Sequence, residues 1–152
     1  MAEHSIAVAA DHAGLALKTQ LIAHLETRGW TVTDLGTHDG ESVDYPDYGY
    51  ALAKVITEGR VPFGLVVCGS GIGISMAANR YPSVRCALCS EPLSAQLARQ
   101  HNDANVLALG GRLIGEAMAT TILDAFLDTP FEGGRHQRRV DKLGSVPQKT
   151  SC

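Results

Sequence analysis

No stretch of the 152-residue sequence is apolar for long enough to span a bilayer. Basic residues are not in excess either. Thirteen Lys and Arg stand against 16 Asp and Glu, and a net charge of -3 argues against the broad cationic face of a general nucleic-acid binder. An anionic ligand must therefore be held by a local cluster of cations. The opening residues, MAEHSIAVAADHAG, put Glu3 where a secretory leader would be basic, so the cytoplasm is the expected location. Four cysteines, at 68, 86, 89 and 152, are too few and too irregularly placed for a disulfide framework. Cys86 and Cys89 form a C-x-x-C, but no second Cys or His pair stands at zinc-binding spacing. Three apart on a strand, they would point to opposite faces, which favours core packing. No metal site is expected.

What the sequence does contain is an ordinary globular composition, 45% hydrophobic and 19% charged, suited to one compact core. Short β-branched or apolar runs alternate with helical periodicity. The expected strands are 5–10, 31–35, 63–68, 84–88 and 105–110, several of them apolar on both faces as parallel strands covered on each side would be. Between them, Leu17, Leu21 and Leu25 mark one helix, and Tyr48, Ala51, Leu52, Val55 and Ile56 a second. In 91–101 Ser90 is the expected cap, with Leu93 and Leu97 inward. Met118, Ile122 and Phe126 define a helix over 115–127 that stops before Pro130. A basic helix is expected at about 135–145, followed by a polar, frayed tail at 146–152. The pattern predicts one α/β domain over 1–145. It is a doubly wound, five-stranded, mostly parallel sheet with helices on both faces, a Rossmann- or flavodoxin-like three-layer sandwich.

Ligands of such sheets bind beyond the carboxyl ends of the strands, where strand order reverses. The residues at those ends are Asp11 and His12, then Cys68 to Gly73, then Gly110, Gly111 and Arg112. In VVCGSGIGIS (66–75) a strand enters a helix through three alternating glycines, whose backbone N–H groups can cradle an anion or a developing oxyanion. The dinucleotide fingerprint fails because Ile74 stands where its third glycine belongs. A phosphate-loop NTPase would need Lys-Ser/Thr after the last glycine, and a C-x5-R phosphatase loop would need arginine at 74. The dipole of the following helix favours a thiolate at Cys68. Position alone leaves a second reading open, in which Cys68 is a small core residue and the glycines serve a tight turn.

Asp11 reads equally as a helix cap and as a carboxylate at the sheet edge. His101, with Asn102, ends the fourth helix, where a histidine is often simply a favourable cation. Arg135 and Arg139 share a helix face that can clamp a phosphate with planar donors or lie solvated. His4, His24, His38 and His136 show no partner in the sequence and read as surface residues.

Five motifs in order, DHAG (11–14), SVDYPDY (42–48), CGSGIGISMAANR (68–80), SEPLSAQLARQHNDANVLALGGR (90–112) and FEGGRHQRRV (131–140), carry a resemblance over about 5–145. The chain resembles the type B ribose-5-phosphate isomerases, a family that also holds galactose-6-phosphate and allose-6-phosphate isomerases. The resemblance implies that Cys68 moves the proton between C2 and C1 of the sugar. It implies that Ser70 and the backbone of Gly69, Gly71, Ile72 and Gly73 hold the enediolate oxyanion. His101 would open the furanose ring beside Asn102, and Asp11, His12 and Tyr45 would touch the sugar. Arg112, Arg135 and Arg139 would hold the phosphate. It further implies a homodimer, sometimes a tetramer, whose active sites are built from both subunits, and no cofactor. Aldose–ketose exchange needs this set of groups: a base, oxyanion donors, ring-opening groups and a phosphate anchor. A hexose 6-phosphate substrate and a non-catalytic phosphate- or nucleotide-binding module are the alternatives.

Overall fold

The computed structural model describes residues 3–148. Residues 149–152 of the expected tail, with Cys152, lie outside the described residues. The strands are β1 (Ser5–Ala10), β2 (Thr31–Asp34), β3 (Phe63–Cys68), β4 (Cys86–Leu88) and β5 (Val106–Gly110). The helices are α1 (Leu15–Thr27), α2 (Tyr45–Thr57), α3 (Ile72–Ala78), α4 (Pro92–Asn102), α5 (Glu116–Asp128) and α6 (Arg135–Leu143). Every strand pair is parallel, in the order β2-β1-β3-β5-β4.

Parallel pairing with a helix after each strand covers both faces of the sheet, so the central strands need no polar face. Alternate residues feed two cores. Ile6, Val8, Leu65, Val67, Leu107 and Leu109 pack with α1, α4 and α5. Ala7, Ala9, Val66, Cys68, Val106 and Ala108 pack with α2 and α3. The C-x-x-C divides as expected, with Cys89 in the first core and Cys86 against the second. Burial pushes the Cys86 thiol up, and burial with nearby Glu91 pushes Cys89 up to about 11, so both stay protonated and inert.

Strand order reverses between β1 and β3, because the chain adds β2 on one side of β1 and then crosses to the other. The last two strands are exchanged relative to sequence order. Insertion of β5 between β3 and β4 sets the Gly111–Arg112 turn against the Cys68 loop. The Gly111 N–H donates to Cys68 O at 2.8 Å and the Arg112 N–H to Gly69 O at 2.9 Å.

Helix α4 corrects two expectations. It packs through Ala95, Ala98 and Arg99, while Leu93 and Leu97 are 60% and 38% exposed. The short alanine face allows a close approach to the sheet, and Arg99 reaches inward to Ala104 O and lies over the rings of Phe63 and Phe126. Its cap is Glu91, whose carboxylate accepts the Ser94 N–H, rather than Ser90. In α5, Ile122 and Phe126 are buried but Met118 is exposed.

Candidate active site

The thiol of Cys68 ends β3 and is buried. The chain then turns through Gly71, which sits at φ +77°, where a Cβ would come within 2.8 Å of the Leu109 backbone. Only glycine fits there. That turn brings the Gly71 N–H back onto Cys68 Sγ at 3.1 Å, a donor that stabilises sulfur as it gains negative charge. The Ile72 N–H donates to Ser70 Oγ at 3.2 Å, which fixes the serine hydroxyl at the loop rim. Two of the N–H groups expected to face an oxyanion are thus engaged by side chains of the loop itself.

Around this turn lies a cleft of about 360 Å³, lined by Asp11, His12, Tyr45, Cys68, Gly69, Ser70, Gly73 and Arg112, with Ala13 and Leu113. Asp11 lines the cleft but does not cap α1, whose N-cap is Gly14; its Oδ1 accepts the Gly14 N–H at 3.0 Å within the turn that precedes the helix. His12 is held by the loop after β2, where the Val43 N–H donates to its Nδ1 at 3.1 Å. Tyr45 begins α2 and lies across Gly73, where a Cβ would meet its ring at 2.6 Å. Arg112 approaches the Gly69 Cα from the far side. Carboxylate, imidazole, phenol, thiol, hydroxyl and guanidinium thus converge on a space the size of a small polar metabolite.

His101, Asn102, Arg135 and Arg139 are not in this cleft. Helix α4 runs antiparallel to the strands, so its last residues lie at the amino ends of the sheet, whereas Cys68 lies at the carboxyl ends. The separation along the sheet is about the length of β5, roughly 13 Å over the four steps from Val106 to Gly110 at about 3.3 Å per residue. Helix α6 packs on α4 at that same far end. The His136 ring stacks on His101 with centroids 4.5 Å apart and planes 12° from parallel. Asn102 lines a separate groove with Cys86 and Leu143.

Two of the four histidines read as surface groups are not. His136 is buried, because His136 and Val140 form the inward face of α6 while the arginines point out. Burial, then the neighbouring His101 and Arg135, hold its imidazole below the usual histidine range. The four-residue spacing of His136 and Val140 was the available signal. His24 is half-buried and meets Asp124 at 2.7 Å, joining α1 to α5, whereas His4 is exposed as expected, with its ring edge-on to Trp30. His38 is exposed, 3.7 Å from Asp34.

The class is a doubly wound α/β protein with a thiol, a glycine turn and a small polar cleft at its switch point. The model of the ribose/galactose isomerase family matches residues 6–143. The chain is 48% identical over 144 residues to ribose-5-phosphate isomerase B of Escherichia coli K12, covering 95% of this chain and 97% of that one. It superposes on a ribose 5-phosphate isomerase from Thermotoga maritima with TM-score 0.91 and 50% identity, covering 93% and 98% of the two chains. It also superposes on ribose-5-phosphate isomerase B from Mycoplasma genitalium with bound ribulose-5-phosphate, with TM-score 0.88, 43% identity, and 93% and 94% coverage. The chain belongs to the ribose/galactose isomerase family.

Proposed function

We propose that the protein interconverts D-ribose 5-phosphate and D-ribulose 5-phosphate through an enediolate. The observation that carries this reading is the buried Cys68 thiol facing a small polar cleft, in a chain so similar to ribose-5-phosphate isomerases along its whole matched length. In the open aldose, the Cys68 thiolate takes the proton from C2 and returns it to C1, while the hydroxyl proton of O2 is lost and O1 gains one. Negative charge on the enediolate oxygen falls beside Ser70 and the backbone of Gly69 and Gly73, which line the cleft, while the Gly71 and Ile72 N–H groups act through Cys68 Sγ and Ser70 Oγ. Asp11, His12 and Tyr45 hold the sugar, and Arg112 meets the phosphate. The route uses no cofactor.

His101, Asn102, Arg135 and Arg139 complete the set, as ring-opening group, sugar contact and phosphate clamp. The sheet holds them at the wrong end to serve the Cys68 cleft of their own chain. They serve a partner's cleft, in a homodimer whose two-fold axis makes two composite sites. Exposed Leu88, Leu93 and Leu97, at 43%, 60% and 38%, supply apolar surface for such an interface. Residues 1–145 act as one catalytic unit, in the cytoplasm; no helix among the described residues is long and apolar enough to cross a membrane. Parallel assays on ribose 5-phosphate, allose 6-phosphate and galactose 6-phosphate test the reading. Turnover of ribose 5-phosphate well above both hexose phosphates supports it, and preference for a hexose phosphate overturns the substrate.

A further inference from the structure

We propose that His101, Glu132 and His136 form a binding site for a borderline divalent metal such as Zn2+, which reversibly takes His101 out of service. One donor atom from each residue lies within 4.8 Å of the others. Glu132 Oε2 and His136 Nε2 are 3.7 Å apart, within the span of about 4 Å that two ligands on one zinc ion can cover. The remaining separations, within 4.8 Å, close toward a tetrahedral edge of about 3.4 Å as the side chains rotate. One backbone contact frames the site before any metal arrives. The Glu132 N–H donates to Gln100 O at 3.1 Å, tying the segment before α6 to the end of α4. The two imidazoles rest stacked face to face, and because a metal lies in the plane of each ring it binds, ring rotation must open the stack before both can ligate one ion.

The donor set selects the metal. Mg2+ and Ca2+ bind oxygen, and this site offers them one carboxylate with Arg135 and Arg139 nearby on the same helix. Zn2+, Co2+ and Ni2+ gain directional bonds from two imidazoles, which Mg2+ and Ca2+ do not. Three protein ligands leave a fourth position open to water. Binding stands on this geometry alone. Its effect on turnover rests on the proposed ring-opening role of His101, because a metal-bound imidazole nitrogen can no longer exchange a proton.

The test uses the full-length, chelator-treated protein. Zn2+ is titrated by calorimetry, Co2+ by absorption, and turnover of ribose 5-phosphate is followed at each Zn2+ concentration. The expected result is one ion per chain, a Co2+ spectrum without thiolate charge transfer, and turnover lost in step with occupancy and restored by chelator. Losing an outer-shell partner costs about tenfold to a hundredfold in metal affinity, so His136→Gln, which removes a direct ligand, should cost at least about a hundredfold. Glu132→Gln, at an exposed position, should weaken binding in the same direction and guards against misfolding of the buried variant. Unchanged Zn2+ affinity in both variants, or a thiolate band placing the ion on Cys68, overturns the site. Stoichiometric binding lost in both variants but without effect on wild-type turnover leaves the site standing and overturns the ring-opening role of His101.

Discussion

The backbone N–H of Val43 donates to Nδ1 of His12 at 3.1 Å, across 31 residues of sequence. A backbone N–H can only donate, so Nδ1 must be the acceptor and the proton of the neutral ring sits on Nε2, the nitrogen that the proposed sugar contact would use. His12 therefore enters the cleft as a donor. Nitrogen-15 spectra at neutral pH should show the Nε2–H tautomer; an Nδ1–H tautomer would contradict the contact. His12→Asn keeps an acceptor near Nδ1 but no donor in the cleft, and His12→Gln does the reverse. Loss of one neutral hydrogen bond predicts a fall in kcat/KM of about two- to tenfold for Asn, mostly in KM, with Gln retaining more activity.

Cys68→Ala should abolish isomerisation without unfolding the chain. General-base catalysis contributes about 10²–10⁴-fold, and the loss should appear in kcat. An alkylating reagent should inactivate by modifying Cys68, with ribose 5-phosphate protecting, whereas the raised thiols of Cys86 and Cys89 should react slowly. Near-normal turnover in the alanine variant would remove the thiol from the mechanism.

Lys18 is buried at 1% exposure and donates to Asp34 Oδ1 at 2.6 Å and to Thr37 O at 2.7 Å, pinning α1 to the end of β2. Burial alone would raise the Asp34 carboxyl, but hydrogen bonds from Lys18 and the Gly36 N–H hold it below the usual range. A carboxyl lowered on folding stabilises the protein above its unfolded value of 3.8, and that contribution is lost as pH falls below it. Denaturant titrations from pH 6 down to about pH 2 should therefore show an acid limb that Lys18→Met makes shallower. An unchanged limb would assign acid sensitivity to other carboxylates.

The strands were legible because a parallel sheet covered on both sides writes unbroken apolar runs, and 5–10 and 63–68 match β1 and β3 residue for residue. Chemistry at strand ends was legible for the same reason, since the switch-point rule needs only the ends of β1 and β3. The face of α4 was not. Leucines at 93 and 97 outweigh alanines in any hydropathy reading, yet the close approach to the sheet is made by Ala95 and Ala98. Nor could spacing reveal that β5 sits beside β3, the exchange that brings Arg112 to Cys68. His136 was hidden by the arginines around it, whose charge masked the inward pairing with Val140.

The separation of Cys68 from Arg135 and Arg139 by the length of the sheet gives the sharpest test of the composite site. Arg135→Ala/Arg139→Ala should raise KM with kcat/KM down about tenfold to a hundredfold per lost charge-assisted contact. The double variant should therefore be nearly inactive at low substrate. Mixing it with Cys68→Ala under conditions that exchange subunits creates dimers in which one cleft carries both lesions and the other none. Random exchange makes about half of the dimers mixed, so about a quarter of wild-type activity should return. If base and clamp came from one chain, every cleft would keep a lesion and mixing would restore nothing. An affinity tag on one variant reports the extent of exchange independently of turnover. Background activity in a population shown to be half mixed would rule out a cleft shared between Cys68 of one subunit and the arginines of the other.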